Sequence, residues 1–288
     1  MGSHGVDMAF PVNDFYTVGS GLDMYTGNAL PPSVAHVFIE SGQSNCHGRG
    51  LRVDAPVGSD PGPIGNIKTW RRSQDGDMYS GTGAWHPLDY EWNNYEGLNT
   101  FGSVLQFGLE INASLGSASN DIYIIKADSS GKPIPGWING GAESVAMYSG
   151  HITPALADLV ADPTYDEIRI HGFFWDQGES DTNIEGLADA YNANLTQLKA
   201  ELRAAVGILD LPFIIRKLDT NVLTTPFRDT VIAAQVAVAG ADSDAYLLEG
   251  PYTYLGDNLH IDGDGQNAVG TDRHTLITSI TNGTIYNA

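Results

Sequence analysis

Three short stretches of the 288-residue chain carry side-chain types that together can do acyl-transfer chemistry. The first is Ser41-Gly42-Gln43-Ser44-Asn45-Cys46-His47-Gly48-Arg49-Gly50, and the second is Trp175-Asp176-Gln177-Gly178-Glu179-Ser180-Asp181. The third is Asp257-Asn258-Leu259-His260. They offer a serine, a polar amide with carboxylates, and an Asp/His pair, which is the parts list of nucleophilic catalysis. A serine hydroxyl is a poor nucleophile at neutral pH until a base removes its proton. An imidazole suits that task when a carboxylate fixes its tautomer and stabilises the imidazolium. Asp257 stands three residues before His260, so a tight turn can carry its carboxylate to the ring nitrogen facing away from the serine. The oxyanion formed on attack needs donors, which backbone N–H groups after a strand–Gly turn and a neutral amide side chain supply.

These stretches matter only if the fold brings them together. Val34–Glu40 is a β-branched run stopped by Ser41-Gly42, a strand followed by a sharp turn. Further strands are expected at Asp121–Ala127, Ile168–Trp175, Leu211–Lys217 and Ala245–Glu249, with a short one at Ile67–Trp70. Helical spacing runs through Ser103–Leu115, Ile152–Val160, Ile184–Val206, Pro226–Ala239 and the segment after Asp264. Strands separated by helices predict right-handed β-α-β units around a parallel sheet, an α/β/α sandwich of one domain. Ligands of such sheets bind at the carboxyl ends of the strands, where all three stretches fall.

Composition narrows the partners. The chain has 14 Lys+Arg against 35 Asp+Glu, a formal charge of −21. Nucleic acid and anionic membranes both require a basic footprint, so neither is expected. The surplus reads first as a solvated, solubilising surface. Five of the 14 basic residues nevertheless fall close together, at Arg49, Arg52, Lys68, Arg71 and Arg72. A single cysteine, Cys46, excludes an internal disulfide and a cysteine-cluster metal site. Residues 1–8 read like a cloning leader and 9–33 like a polar extension, leaving 34–288 as the domain. No signal segment is visible, and the location stays open with an extracellular one favoured.

The blocks G-Q-S-N at 42–45, W-D-Q-G-E-S-D at 175–181 and D-N-L-H at 257–260 resemble those of the SGNH (GDSL-like) hydrolases. More narrowly, they resemble the branch of carbohydrate esterase family six and the sialic acid-specific acetylesterase-type domains. Gly97–Gly102 before the first long helix is similar to that family's glycine block, and the resemblance runs from about Val37 to about Gly270. It implies a flavodoxin-like, five-stranded parallel sheet in a three-layer α/β/α sandwich. It also implies Ser44 as nucleophile, His260 as base and Asp257 as the acid that orients the base. Oxyanion donors implied are the Ser44 and Gly102 N–H groups and the Gln177 side chain. Asn45 and Glu179 are implied as supporting residues, Glu179 either structural or positioning the histidine. Two departures stand out: Cys46 replaces a usual Met, and Asp176 replaces a frequent His or Tyr and brings charge toward the pocket rim.

The resemblance implies an esterase without metal or cofactor that removes acetyl groups from a carbohydrate. Acetylxylan or a related polysaccharide is the first expectation, an O-acetylated sialic acid the second, and a generalist short-acyl esterase the third. A glycan-binding module that has lost catalysis is the rival of a different class, and the oligomeric state is open. Candidate substrate contacts are Arg49, Lys126 and Trp137. The tryptophans of the long loops are either core residues or platforms for a sugar ring. The arginine group either pairs with surface carboxylates or recognises an acidic sugar. Cys46 is expected to pack as a small hydrophobe, and Asp262-Gly263-Asp264-Gly265 to form a turn and helix cap.

Overall fold

Val34–Gly42 forms strand β1, and all nine of its residues are buried, as expected of a strand covered on both faces. The computed structural model describes residues 32–58, 64–72, 79, 81–89, 100–220, 224–280 and 283–286. The leader and nearly all of the extension expected over 1–33 lie outside the described residues, as does part of the glycine block (97–99). Ser33–Ala288 forms one unit.

After β1 come helix α1 (Ser44–His47) and strands β2 (Gly50–Leu51), β3 (Ile67–Arg71), β4 (Ala84–Pro87) and β5 (Thr100–Phe101). Helix α2 (Val104–Leu115), strand β6 (Asn120–Asp128) and helices α3 (Ala142–Val145) and α4 (Thr153–Ala161) follow. Strand β7 (Glu167–Asp176), helix α5 (Glu185–Val206), strand β8 (Phe213–Arg216) and helix α6 (Arg228–Gly240) lead to strand β9 (Ala245–Leu248). Helix α7 (Gly263–Ile280) and strand β10 (Thr284–Ile285) close the chain. The sheet runs β4-β3-β6-β1-β7-β8-β9. Its core β6-β1-β7-β8-β9 is the five-stranded parallel, flavodoxin-like set. The short strand expected near Ile67–Trp70 is a sixth parallel member beside β6. The antiparallel β4 covers its outer edge, and β10 pairs with the amino-terminal half of β7.

Alternation along β1 divides the core. Val37 and Ile39 join Leu156 of α4, Leu195, Leu198 and Leu202 of α5 and Val231 of α6 on one face. Phe38 joins Phe107 and Ile111 of α2 and Ile277 of α7 on the other. Burial of each such side chain stabilises the fold by ~1.5–3 kcal/mol. The strand order changes direction about β1, whose neighbours β6 and β7 lead to opposite sides of the sheet. Register aligns Gly42 with both Asp128 and Asp176, so the three strand ends finish level. That rim is the topological switch point at which an open α/β sheet binds ligands.

Candidate active site

The turn that presents Ser44 depends on two glycines. Gly42 has φ +154°, and a Cβ there would lie 2.0 Å from the Asp176 carbonyl oxygen. Gly48 has φ +108°, and a Cβ there would lie 2.2 Å from the Gly102 nitrogen. Between them α1 begins at Ser44. Lys126 Nζ holds its far end, donating to the carbonyls of Cys46 at 2.6 Å and His47 at 3.4 Å.

Ser44, His260 and Asp257 form one hydrogen-bonded chain across 216 residues of sequence. The Asp257 Oδ2 to His260 Nδ1 distance is 2.7 Å, and His260 Nε2 lies 2.9 Å from Ser44 Oγ. A carboxylate only accepts, so Nδ1 carries the ring proton and Nε2 is left to accept the serine O–H. The backbone N–H groups of Leu259 and His260 donate to Asp257 Oδ1 at 2.9 and 3.0 Å. Burial opposes the charge on Asp257, but those N–H groups and the His260 ring hold its carboxyl below the usual range. Asn258 sits at φ 54°, and the Leu255 N–H bonds the His260 carbonyl at 2.7 Å, closing the turn that the three-residue spacing required.

Asn45 clasps this turn on both sides of the histidine. Its Nδ2 donates to the Leu259 carbonyl at 3.1 Å, and its Oδ1 accepts the Ile261 N–H at 2.9 Å. Nδ2 also donates to Glu179 Oε1 at 2.6 Å, and Arg216 Nη2 reaches the same oxygen at 2.5 Å. Glu179 is 4 % exposed, and among the described residues none donates to its Oε2. The adjoining cavity of about 420 Å³ is bounded by Ser44 and His260 and by Gln43, Arg49, Glu179, Asn183 and Thr225.

Several expected contacts lie elsewhere. Gln177 is fully buried; its Nε2 donates to the Lys132 carbonyl and to Asp181, and its Oε1 accepts the Tyr191 hydroxyl. That amide therefore braces the loop after β6, and Gln43 is the amide in the pocket wall. Trp137 is fully buried edge-to-face against Trp175, a core contact that leaves no face for a sugar. Lys126 pairs with Glu40 at 2.8 Å beneath α1, out of reach of a ligand. Asp176 is buried and bonded to Arg216 Nε at 2.5 Å, so its charge belongs to the interior and not the rim. Of the three candidate substrate contacts, only Arg49 borders the cavity. Gly102 packs against the α1 end, where its own Cβ position is 2.7 Å from the His47 carbonyl oxygen.

Beneath the site lies an ion network that the sequence did not announce. Glu40 binds Lys126 and Arg273, the latter at 2.6 Å, and Arg273 donates to Ser103 Oγ at 2.7 Å. Asp128 is buried, which works against its charge, yet His47 at 2.6 Å with Lys126 and Arg71 holds its carboxyl well below the usual range. Burial pushes the Cys46 thiol up, leaving a packed, unreactive sulfur. Asp262 accepts the Gly265 N–H at 2.9 Å and so caps α7. Basic residues at the ends of apolar strand runs, Arg71 in β3, Lys126 in β6 and Arg216 in β8, are the local signs of this network. Among the described residues no three His, Cys, Asp or Glu side chains converge as a metal site, and no helix is long and apolar enough to cross a membrane.

A sequence model of the carbohydrate esterase family described as sialic acid-specific acetylesterase matches residues 34–276. Among curated proteins, none matches this chain. A solved structure from Arabidopsis thaliana is 21 % identical, covering 87 % of this chain and 99 % of its own, with TM-score 0.68. A carbohydrate acetylesterase from Xanthomonas citri is 18 % identical over 88 % of this chain and 56 % of its own, with TM-score 0.58. The structure of NanS is 13 % identical over 87 % of this chain and 98 % of its own, with TM-score 0.60. At these identities the structural likenesses show the fold.

Proposed function

The chain belongs to the carbohydrate esterase family of sialic acid-specific acetylesterase type, and from that premise we propose that it removes O-acetyl groups from a carbohydrate through an acetyl-Ser44 intermediate. The unbroken chain Ser44–His260–Asp257, whose Ser44 and His260 line the cavity, carries this reading. His260 Nε2 takes the hydroxyl proton as Ser44 Oγ attacks the acetyl carbonyl, and Asp257 stabilises the imidazolium that results. The oxyanion is held by the Ser44 N–H at the start of α1 and by the Gly102 N–H, with the Gln43 amide in the role expected of Gln177. Collapse expels the sugar oxygen, which takes the proton from His260. Water then attacks the acetyl carbonyl as His260 takes one of its protons, and collapse releases acetate while His260 returns that proton to Ser44 Oγ. Retention of a working nucleophile, base and orienting acid in hydrogen-bond contact has no use in a pure binding module.

A neutral acetylated polysaccharide such as acetylxylan suits the charge of −21 and the carboxylate of Glu179 in the pocket wall. Arg49 in the same wall is the observation that favours the second reading, an O-acetylated sialic acid. Acetate release from acetylxylan and from O-acetylated sialic acids, measured on the wild type and on Ser44→Ala, tests both levels. A loss of about 10⁴-fold or more is expected for Ser44→Ala on every ester. Full activity in that variant sinks the mechanism, and the better wild-type substrate selects between the two sugars.

A further inference from the structure

Glu179 stands where a supporting carboxylate was expected, but only one of its oxygens supports anything. Oε1 accepts from Asn45 at 2.6 Å and from Arg216 at 2.5 Å, which fixes the rotamer. Oε2 is buried, bonded to no described residue, and belongs to a side chain in the wall of the cavity that also holds Ser44 and His260. A buried carboxylate oxygen without a donor is costly, so a fold that keeps one at a ligand cavity points to a ligand that donates. Resting on the reading of the site as a carbohydrate acetylesterase, we propose that Glu179 Oε2 accepts a hydrogen bond from a free sugar hydroxyl beside the ester under attack. Glu179 is thereby a specificity residue as well as a brace.

The chemistry sets the discrimination. A sugar with a free neighbouring hydroxyl supplies the missing donor. A sugar whose neighbour is deoxygenated, methylated or itself acetylated supplies none, and a second acetyl group turns its own acceptor oxygen toward the carboxylate. Sites built to bond a substrate hydroxyl reject the analogue lacking it strongly, because the protein group is then left unpaired. The enzyme therefore acts on partly acetylated residues, and a fully acetylated residue must first lose an acetyl group to another esterase.

Two pairs of probes test this: methyl 2-O-acetyl-β-xylopyranoside against its 3-deoxy analogue, and the 3-O-acetyl compound against its 2-deoxy analogue. Wild type should prefer the hydroxylated member of the pair it hydrolyses faster by roughly ten- to a hundred-fold in kcat/KM, the effect of a hydrogen bond to a charged group. In Glu179→Gln that preference should fall to within about threefold. The ratio cancels any general loss of activity, so a purely structural role for Glu179 would leave it unmoved. Undiminished preference in the variant overturns the assignment. So does a wild-type preference below about threefold, which decides the matter even if Glu179→Gln does not fold. In that last case, hydrolysis of 4-nitrophenyl acetate by the wild type and not by Ser44→Ala leaves the serine mechanism standing. Inertness of the wild type toward every ester overturns both.

Discussion

Replacing Asn45 by Asp exchanges an amide nitrogen for an oxygen at the most constrained position in the site. The Asn45 amide lies 2.6 Å from Glu179 Oε1, with both residues buried. Two carboxylate charges at that separation repel by roughly 6 kcal/mol at an effective dielectric constant of about 20. That exceeds four units of pKa at ~1.4 kcal/mol each, so the new carboxyl takes up a proton instead of ionising beside Glu179. Protonated, it donates to Glu179 in a short O–H···O⁻ bond and still accepts the Ile261 N–H, losing only the contact to the Leu259 carbonyl. Ionised, it pushes the His260 turn away from Ser44. The pKa of the introduced group is raised, so the active form lies below it and activity is lost as pH rises through it. Rates of 4-nitrophenyl acetate hydrolysis from pH 5.5 to 9 should show Asn45→Asp within about tenfold of wild type at the acid end. A carboxyl raised by more than four units from ~3.9 ionises only near the alkaline end, so the variant should fall a further ~5–10-fold behind by pH 9, chiefly in kcat. The ratio to wild type removes any pH dependence common to both enzymes. Asn45→Ala lacks the introduced carboxyl and should lie ~10–100-fold below wild type at every pH, since it strands the buried Ile261 N–H and removes one donor to Glu179 Oε1. A ratio for Asn45→Asp that stays flat across the range refutes the reasoning.

Two further predictions concern residues outside the cavity. Lys126→Met leaves Glu40 with Arg273 as its remaining charged partner and frees the α1 carbonyls, so a destabilisation of ~3–5 kcal/mol is expected. Thermal unfolding should drop by roughly 10 °C, while KM for a small ester changes little; an unshifted midpoint refutes the buried pair as a brace. Burial pushes the Asp181 carboxyl up to about 7, despite donors from Gln177 and the Ile134 N–H. The folded protein therefore holds that proton longer than the unfolded chain, whose carboxyl titrates near ~3.9. The stability it contributes is complete below about pH 4 and is lost as pH rises to about 7. The unfolding midpoint of wild type minus that of Asp181→Asn should accordingly fall from pH 4.5 to 8, and a constant difference contradicts the assignment.

What the sequence made legible was local. Strands and helices showed through periodicity, and the Asp257–His260 pairing showed because three residues of chain span a turn. The side chains that were misplaced are those whose partners come from other parts of the fold or from a turn whose path the sequence does not show. Lys126 faces Glu40 because β6 and β1 pair residue for residue at that level, and Trp137 meets Trp175 because the loop after β6 folds back over β7. Gln177 follows the last residue of β7, where the protein directs its amide to Lys132 and Asp181 instead of the pocket. The pairings of Lys126 and Trp137 are encoded by no spacing within one segment, since register is set by pairing and burial across the whole sheet.

The charge distribution follows the same logic. Of the 14 basic residues, Arg71, Lys126, Arg216 and Arg273 are buried near the Ser44 turn with Glu40, Asp128, Asp176 and Glu179. That set is balanced, so the net −21 belongs to the rest of the molecule. Pairing buried charges is no efficient route to stability, because desolvation offsets most of the attraction. Its effect is on geometry. Arg216 fixes Glu179, Glu179 and Asn45 fix the backbone on both sides of His260, and Lys126 fixes the helix that starts at Ser44. A 2.9 Å contact between residues 216 positions apart is thus held from both ends by side chains that touch neither reacting atom. Damage to that scaffold should therefore lower kcat before it alters substrate affinity.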